Sequence, residues 1–413
     1  MKPRSVCIIS AVYPPEPLVS GYMARDLADH LADHDTRVTV MCPQPSRPPS
    51  ANYEHLKKRK TPLLRTEDKV DVVRLPSFSA PKSGILRRAR ESFSFGRYVC
   101  GYLKNDAEKP DALYVNAWPL FSQALIMRYA RLHRIPVVLQ IMDVYPESLT
   151  LKLPKGIRFG LTSLLTHLDR WIAQQAAAII VISENMRRQY IEKRRIKSSK
   201  IVTVNLWQDE ALFTPLPPRQ DACHFYAVPE DKLTFLYLGN IGPVAGVELV
   251  IQAFHGAQIQ EAQLIVAGDG SSKASCYNLA KSLGGANIRF LSDPDFRNTA
   301  LILGMAHVCL LPILRGAGLS SVPSKLMAYL LSAKPILATV DRESDAARII
   351  KEAGCGWQGE AGELSWLANK MREVAGLPHG ELERIGEKGR QFYLREFSRA
   401  TGLQKLSDRI MAP

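Results

Sequence analysis

Hydrophobic and polar positions alternate in blocks along the whole chain. Short apolar runs rich in β-branched residues are separated by longer segments with apolar residues at helical spacing. This pattern is typical of parallel strands joined by helices, because helices cover both faces of a parallel sheet and leave its strands buried. The sequence therefore predicts the α/β fold class.

The predicted strands fall into two series. The first series comprises residues 6–11, 38–41, 70–75, 112–116, 137–142, 179–183 and 201–204. The second comprises residues 233–239, 264–268, 288–291, 308–312 and 336–338. From Glu343 onward the pattern predicts almost only helix. We expect two Rossmann-like, doubly wound domains that face each other across a cleft, with ligands at the carboxyl ends of their strands.

The segment NLWQDEALFTPLPP separates the two series like a linker. A length of 413 residues is enough for two or three domains of ~100–200 residues each. The sequence predicts an N-terminal domain over residues 1–209, a second domain over 210–390 and a C-terminal helix over 391–413. The C-terminal helix is expected to pack back toward the N-terminal domain.

Charge is distributed unevenly between these domains. The chain has 54 Lys and Arg against 40 Asp and Glu, a net charge of +14. Residues 1–209 contain 33 basic and 19 acidic residues, and the remainder contains 21 of each. The first domain is therefore expected to face an anionic partner. Because 46% of the residues are apolar, a disordered chain is excluded.

Cysteine usage and hydropathy indicate the compartment. Seven scattered cysteines without a C-x-x-C pair favour neither a disulfide framework nor a zinc site, and they suggest a reducing environment. The first apolar run is short and soon reaches prolines, so it is interpreted as a strand and not as a signal peptide. The apolar stretch 301–314 is shorter than the ~20 residues of a membrane span. A cytoplasmic protein is expected, with any membrane contact peripheral.

A basic and aromatic segment, residues 82–104, has the composition of an interfacial helix. Its arginines are Arg87, Arg88, Arg90 and Arg97. They suggest contact with an anionic membrane surface or with the acceptor, and a solvated basic face is the alternative. Nucleic acid would also explain the charge, but no binding module is recognisable, so we expect no nucleic-acid partner.

A strand, a glycine-rich turn and a helix follow one another around Gly239, Asn240 and Gly242. Free amides and a helix dipole can hold a phosphate in this geometry. The turn matches neither G-x-G-x-x-G nor the P-loop. The alternative is that these glycines only permit a tight turn.

A second candidate anion site lies after the strand 308–312. Its residues are Arg315, Ser320, Ser321, Ser324 and Lys325. Serine hydroxyls and a cation beside free amides suit a diphosphate. The alternative is that a serine only caps the helix and Lys325 is solvated. Since the helix dipole disfavours a lysine in the first turn, its presence favours an anionic ligand.

Asp143 and Glu147 follow the strand 137–142. Two carboxylates there could act as acid and base or accept sugar hydroxyls, although such residues often only form turns or cap helices. The D-x-D sequence 293–295 is interpreted as a turn. His30 and His34 have the i, i+4 spacing of metal ligands but lack a third ligand. No metal site and no catalytic triad are predicted.

Taken together and in order, several segments resemble the retaining, nucleotide-sugar-dependent glycosyltransferases of family four, which have the GT-B fold. The resemblance is to the branch that assembles bacterial capsule, exopolysaccharide and O-antigen. The segments are YPPEPLVSGYMARDLADHL, IMDVYPES, AAAIIVISENMRRQYI, VTVNLWQDEALF, LYLGNIGPVAGVE, LIVAGDGS, PSKLMAYLLSAKPILAT and DRESDAARIIKEAGCGW.

The resemblance implies roles for particular residues. In the second domain, the Gly239–Gly242 loop, Arg315 and residues 320–325 would hold the donor diphosphate, and Asp269 and Gly270 would lie near the base. In the first domain, Gly21 would approach the donor phosphate through its backbone. Asp143 and Glu147 would line the catalytic cleft. Such enzymes work without a metal or other cofactor, and front-face attack needs no single protein base.

The resemblance also implies partners: a nucleoside diphosphate sugar, a saccharide acceptor linked to polyprenyl diphosphate, and the inner face of the membrane. One departure is Ala328, where typical members have a Glu that holds the donor ribose. Loss of a charge-assisted hydrogen bond costs ~1.5–3 kcal/mol. Met142, Tyr145 and Ala333 replace the usual Arg, Trp and Gly. Two alternatives therefore stay open: a binding or regulatory GT-B protein without catalysis, and a sugar-nucleotide epimerase.

Overall fold

The computed structural model describes residues 4–16, 18–46, 53, 61–67, 69–79, 85–106, 108–146, 155–213, 215–292, 298–319 and 322–412. The chain divides into two compact units. The first unit comprises Met1–Leu206 with Gly402–Pro413, and the second comprises Trp207–Thr401. The sequence placed this boundary at 209, within three residues of the observed one.

Among the described residues, the first unit contains one sheet with the strand order β3-β4-β2-β1-β5-β6-β7-β8. Neighbouring strands are parallel except for β3 and β4. The strands are β1 Ser5–Ser10, β2 Arg37–Pro43, β3 Leu63–Glu67, β4 Val70–Leu75, β5 Ala112–Asn116, β6 Val137–Ile141, β7 Ala178–Val181 and β8 Ile201–Thr203. The helices up to this boundary are α1 Val19–Asp33, α2 Ile85–Asn105, α3 Phe121–His133, α4 Lys155–Gln175 and α5 Glu184–Glu192.

The second unit has a sheet in the order β11-β10-β9-β12-β13-β14, with its paired strands parallel. Its strands are β9 Leu233–Leu238, β10 Ala262–Ala267, β11 Ile288–Leu291, β12 Val308–Pro312, β13 Ile336–Val340 and β14 Gly356–Glu360. The helices are α6 Arg219–Phe225, α7 Val247–Ala257, α8 Lys273–Ser282, α9 Thr299–Gly304, α10 Ser324–Leu331, α11 Asp345–Ala353, α12 Leu364–Ala375, α13 His379–Glu396 and α14 Arg399–Met411, the last of which continues into the first unit.

Burial on both faces explains the continuous apolar runs of the central strands. In β9, Leu236 packs into one core of the second unit, while Phe235 and Tyr237 pack into the core on the opposite face. In the first unit, β1 lies between β2 and β5, with Val6 paired to both Val38 and Ala112. These runs are the positions at which the sequence predicted strands.

Two edge strands were not predicted. β3 is antiparallel and mostly exposed, and β14 is only half-buried, so neither shows a continuous apolar run. The expectation of almost only helix after Glu343 is therefore wrong at Gly356–Glu360. Gly356 has φ +158°, and a Cβ there would lie 1.9 Å from the carbonyl oxygen of Ile336. The predicted C-terminal helix 391–413 is also wrong as a single element, because α13 ends at Glu396 and α14 begins at Arg399.

Ala333 takes the left-handed position at the end of α10, with φ +53°. Its amide donates to the carbonyl of Leu330, and the amide of Lys334 donates to that of Tyr329, which is the Schellman arrangement. A Cβ is disfavoured in this conformation.

Ala333→Gly is therefore expected to raise the free energy of unfolding by about 1 kcal/mol and Tm by about 2–4 °C. Differential scanning calorimetry measures this change. Gly354→Ala, at the equivalent left-handed position after α11, should lower Tm; an Ala333→Gly protein that melts earlier would contradict the argument.

All seven cysteines are free thiols, and most are buried. Burial raises the pKa of Cys42, Cys309 and Cys355 to about 12, so these thiols stay protonated and act as small apolar side chains. No helix in the described parts of the chain is long and apolar enough to cross a membrane.

Candidate active site

Lys325 and the Gly239 turn come together at the carboxyl end of β9. α10 begins at Ser324, directly before Lys325. The Lys325 ammonium donates a 2.8 Å hydrogen bond to the hydroxyl of Tyr237. Its Cε lies 3.2 Å from the position that a Cβ on Gly239 would occupy. Residues that the sequence placed in two separate candidate sites therefore form one site.

The Lys325 side chain is a buried cation. Burial lowers its pKa from 10.5 to about 8, because the charged form loses hydration. Its ammonium also lies 4.2 Å from the centre of the Tyr237 ring. The Tyr237 hydroxyl in turn donates to the carbonyl of Asn240, at 2.6 Å. Since this partner is a neutral phenol, an anion at the site would supply the counter-charge.

The N-terminus of α10 supplies backbone donors beside this cation. The cap position is Pro323, whose side chain makes no capping hydrogen bond. Ser324 is the first helical residue, so it is not the cap that the alternative interpretation required. The first amides of a helix have no partner within the helix, and the dipole adds positive potential. One turn later, Ala328 lies in an apolar core.

Two backbone amides of the glycine-rich turn are engaged in hydrogen bonds to the loop after β10. The amide of Gly239 donates to the backbone carbonyl of Ala267 at 3.0 Å. The amide of Ile241 donates to the backbone carbonyl of Asp269 at 2.8 Å. A Cβ on Gly268 would lie 2.0 Å from the carbonyl oxygen of Gly239. These glycines therefore bring two loops into backbone contact, and the contribution of Asn240 and Gly242 to donor binding stays a prediction.

Other predicted donor-site residues lie around these loops. A Cβ on Gly242 would lie 2.8 Å from the side-chain amide nitrogen of Asn240. The carboxylate of Asp269 is 88% exposed and accepts a 2.8 Å hydrogen bond from the amide of Gly270. It is thus available to a ligand, as the expected position near a base requires.

Asp341 holds the loop that carries Arg315. Both carboxylate oxygens accept from the amide of Gly316, at 3.0 and 2.9 Å. Arg315 itself is exposed. Ser320 and Ser321 lie outside the described residues. The sequence analysis missed Asp341, although its place directly after β13 was a usable signal.

The first unit has a cavity of about 420 Å³ at the carboxyl ends of β1, β5 and β6. Its polar lining includes Ser20, Asn116, Trp118, Gln140, Asp143 and Asp169. Gln140 is 2% exposed, and its side-chain nitrogen has no hydrogen-bond partner among the described residues. Since buried amides are normally paired, this donor suits a ligand hydroxyl.

Asp143, which follows β6, lines this cavity, and its predicted place in a catalytic cleft stays a prediction. It is exposed, and one carboxylate oxygen accepts a 2.8 Å hydrogen bond from the amide of Val144. Glu147 lies outside the described residues, so its pairing with Asp143 stays a prediction.

Gly21 is buried in the first turn of α1. Its amide donates to the carbonyl of Leu18 at 2.9 Å, and a Cβ would lie 3.3 Å from the Cα of Tyr13. The absent side chain lets α1 approach the loop after β1. Its expected contact with a donor phosphate stays a prediction.

A buried ion pair supports the cavity. Arg194, 1% exposed, donates to Asp169 at 2.7 Å through Nε and to the carbonyl of Tyr145 at 2.6 Å through Nη2. The Tyr190 hydroxyl donates to the same carboxylate at 3.2 Å. Arg194 thereby joins α4 to the loop that carries Asp143. The sequence analysis missed this pair, because partners 25 residues apart show no local pattern.

Comparison with known families now identifies the chain. The family described as "Glycosyl transferase 4-like domain" matches residues 20–207, and the family "Glycosyl transferases group 1" matches residues 220–392. The chain belongs to the family-four glycosyltransferases with the GT-B fold. The first match covers strands β2 to β8 and the second covers all six strands of the second unit's sheet, in the order that the sequence analysis expected.

Two named relatives support this assignment. The glycosyltransferase is 28% identical over 301 residues to a protein named glycosyltransferase WbjE, from Pseudomonas aeruginosa, with 72% of this chain and 71% of that protein covered. It is 26% identical over 324 residues to a protein named colanic acid biosynthesis glycosyl transferase WcaI, from Escherichia coli, covering 76% and 78%.

Solved structures share the fold of the glycosyltransferase. Sucrose-phosphate synthase from Thermosynechococcus elongatus matches with a TM-score of 0.71 at 15% identity, covering 98% of both chains. Anabaena Alr3699/HepE, in complex with UDP and glucose, matches with a TM-score of 0.67 at 14% identity, covering 99% of both.

The arginines predicted to contact a membrane or acceptor lie on α2 of the glycosyltransferase. Arg87, Arg88, Arg90 and Arg97 are all exposed, and Arg90 stacks over the ring of Phe78 at 4.3 Å. His30 and His34 stack on each other with ring centres 4.4 Å apart. Within the described residues, no group of three metal-ligating side chains is present. Residues 293–295 lie outside the described residues.

Proposed function

We propose that this glycosyltransferase moves a sugar, with retention of configuration, from a nucleoside diphosphate sugar to a saccharide linked to polyprenyl diphosphate. The reaction would contribute to bacterial surface polysaccharide, as capsule, exopolysaccharide or O-antigen. The observation that carries the proposal is the buried Lys325, which lies beside uncapped helix amides at the end of β9. This is an electrostatic arrangement for a diphosphate.

The donor diphosphate would bind the Lys325 ammonium and the first amides of α10. Arg315, Ser320, Ser321 and Ser324 would add contacts at the same end of this unit. The complex of the structural neighbour HepE with UDP and glucose supports a nucleotide-sugar donor. Fixed cations and a helix dipole stabilise the departing diphosphate, so we propose that no metal or other cofactor is needed.

We propose a front-face chemical step for this reaction. The acceptor hydroxyl oxygen forms a bond to the anomeric carbon on the face from which the diphosphate departs. The bond from that carbon to the diphosphate oxygen breaks, and the acceptor proton passes to a phosphate oxygen of the leaving group. Asp143 and Glu147 would orient the reacting sugars, and Asp269 with Gly270 would lie near the base.

The acceptor saccharide is assigned to the 420 Å³ cavity of the first unit. Gln140, Asn116 and Trp118 supply amide and indole groups that suit sugar hydroxyls and the apolar face of a sugar ring. The excess positive charge of this part of the chain supports a lipid-linked acceptor on the anionic inner face of the membrane. The name of the relative WcaI supports polysaccharide assembly.

Thermal stability against a panel of nucleoside diphosphates and nucleotide sugars tests the donor assignment. A ligand at ~100 times its dissociation constant raises the free energy of unfolding by ~2.7 kcal/mol. We expect one nucleotide family to stabilise the protein in this way, and to the same extent in EDTA as in magnesium. No stabilisation and no turnover would favour a binding protein disabled by Ala328. Conversion of the donor without an acceptor would favour an epimerase.

Gln140→Leu tests the acceptor cavity. Because the Gln140 side-chain nitrogen has no partner among the described residues, the apolar variant is expected to be at least as stable. Its KM for the acceptor should rise up to about 10-fold, since one neutral hydrogen bond contributes about 0.5–1.5 kcal/mol. Steady-state kinetics at saturating donor measures this. Gln263→Leu serves as the control. The buried Gln263 side chain donates a hydrogen bond to the carbonyl of Pro229, so this variant should lose stability without a change in the KM for the acceptor. An unchanged KM in Gln140→Leu would remove Gln140 from the acceptor site.

A further inference from the structure

An apolar groove of about 750 Å³ lies between α2, α3 and α4 in the first unit. Its walls include Phe93 from α2, Leu125 and Leu132 from α3, and Leu168 and Trp171 from α4. None of these residues belongs to the cavity at the carboxyl ends of β1, β5 and β6. The groove is therefore a separate feature of the molecule.

Two faces of α2 differ sharply. Phe95, Val99 and Leu103, spaced i, i+4 and i+8, are fully buried in the core. The outward face combines exposed apolar residues with arginines. The apolar residues include Leu86 and Phe93, which are 85% and 47% exposed. Arg90 and Arg97 continue the same face at helical spacing, three or four residues from these side chains.

The neighbouring helices repeat this pattern. On α3, Phe121, Leu125, Arg128 and Leu132 share one face by their i, i+4, i+7 and i+11 spacing, and Leu132 is 71% exposed. On α4, Leu164 is 68% exposed. Large apolar side chains on three adjacent helices form a patch rather than isolated exposed residues, and such patches mark binding surfaces.

Charge specifies what the groove would bind. The sequences of α2, α3 and α4 contain ten Lys and Arg residues but only two acidic ones, Glu91 and Asp169. Both acidic residues are buried, 4% and 3% exposed. Arg128 and Arg131 line the groove itself and are exposed. An apolar channel with guanidinium groups along it matches a hydrocarbon chain that carries a phosphate.

We propose that this groove takes the hydrocarbon chain of an anionic membrane phospholipid, with the phosphate on Arg128 and Arg131. The inference rests on the proposed membrane location and goes beyond it, since it names the lipid class and the residues that insert. A water-soluble anion would leave the apolar side chains of Leu132 and Phe93 exposed to water. The arginines suit a phosphate better than they suit an uncharged partner.

Trp171 provides a direct probe of the groove. Vesicles of phosphatidylglycerol with brominated chains quench the fluorescence of tryptophans that contact the chains. We expect the full-length protein to lose fluorescence on brominated vesicles relative to unbrominated ones. Trp171→Phe should remove more than half of this quenching. Trp366→Phe, a half-buried tryptophan of the second unit, should leave it unchanged.

Leu132→Glu tests the groove by binding. Because Leu132 is 71% exposed, the variant should fold, which circular dichroism checks, while its affinity for phosphatidylglycerol vesicles should fall at least 10-fold in a sedimentation assay. Phe225→Glu, 63% exposed in the second unit, is the matched control and should bind normally. Replacing phosphatidylglycerol with phosphatidylcholine should weaken binding of the unmodified protein.

The outcomes separate this inference from the proposed function. Vesicle binding without quenching at Trp171 would overturn the groove assignment but leave the membrane location intact. No vesicle binding at all would overturn both, while nucleotide-dependent stabilisation would still test the donor site. Dimerisation that Leu132→Glu abolishes would show that a second copy covers the groove, and would overturn the lipid assignment.

Discussion

Lys325→Met is expected to lower turnover of the nucleotide sugar about 10²–10³-fold, the effect of removing one preorganised charge-stabilising donor. The ammonium lies beside Gly239 and donates a hydrogen bond to the Tyr237 hydroxyl, so its loss removes a buried cation from the first turn of α10. The loss should appear in kcat as well as in nucleotide affinity. Steady-state kinetics and calorimetric titration with the bound nucleoside diphosphate measure both.

Lys281→Met is the control for this variant, because Lys281 is an exposed residue of α8. It removes the same charge from the same unit and should leave turnover unchanged. If Lys325→Met retained full activity, the diphosphate would have to bind elsewhere, and the observation that carries the proposed function would be lost.

The pH dependence of nucleotide binding follows from the same residue. Burial lowers the pKa of Lys325 to about 8, and an anion favours the protonated form. The dissociation constant should therefore rise above pH 8, by up to about tenfold per pH unit, and Lys325→Met should remove this dependence. The stability of the protein without ligand changes in the opposite direction. Between about pH 8 and 10.5 Lys325 is protonated mainly in the unfolded chain, so its contribution makes the free energy of unfolding rise with pH.

The second large effect is expected at the buried pair of Arg194 and Asp169. Arg194→Met leaves a carboxylate in a site where it is 3% exposed, which costs about 3–5 kcal/mol. It also removes the donor to the Tyr145 carbonyl, so the loop bearing Asp143 loses this hydrogen bond. We expect a lower midpoint of urea-induced unfolding and a lower kcat, with nucleotide affinity unchanged.

The double variant Arg194→Met with Asp169→Leu separates charge from anchoring. Removal of both charges should restore most of the stability, because no unpaired charge is then buried. If kcat stays low while the unfolding midpoint recovers, Arg194 acts by positioning the loop. If kcat recovers together with stability, the pair is only structural and the loop does not depend on it.

Much of the architecture could be predicted from the chain alone. The central strands are buried on both faces, and this burial produces the apolar runs that predicted β9 and β12 almost to the residue. The edge strands β3 and β14 were not predicted because their partial exposure permits a mixed composition, whereas the edge strands β8 and β11 keep short apolar sequences. Leu64, which is 56% exposed, illustrates the point.

The candidate site was predictable in part. Arg315, Ser324 and Lys325 stand out locally because cations and hydroxyls follow a buried strand, and Asp143 stands out for the same reason. Gln140 lies within the strand VVLQI and had a weaker signal, a polar residue in an apolar run. No local signal links Arg194 to Asp169, since their pairing depends on how α4 and the segment after α5 pack.

The sequence by itself determined the fold class, the two strand series, the asymmetry of charge and the family, because each of these is recorded in the order and spacing of residues. Tertiary structure alone decided which groups meet. It brought Lys325 next to the Gly239 turn and engaged the amides of Gly239 and Ile241 in backbone hydrogen bonds. It also buried the Lys325 ammonium, so that its pKa falls. Spacing sets secondary structure locally, whereas desolvation and contact between distant segments exist only after the chain has packed.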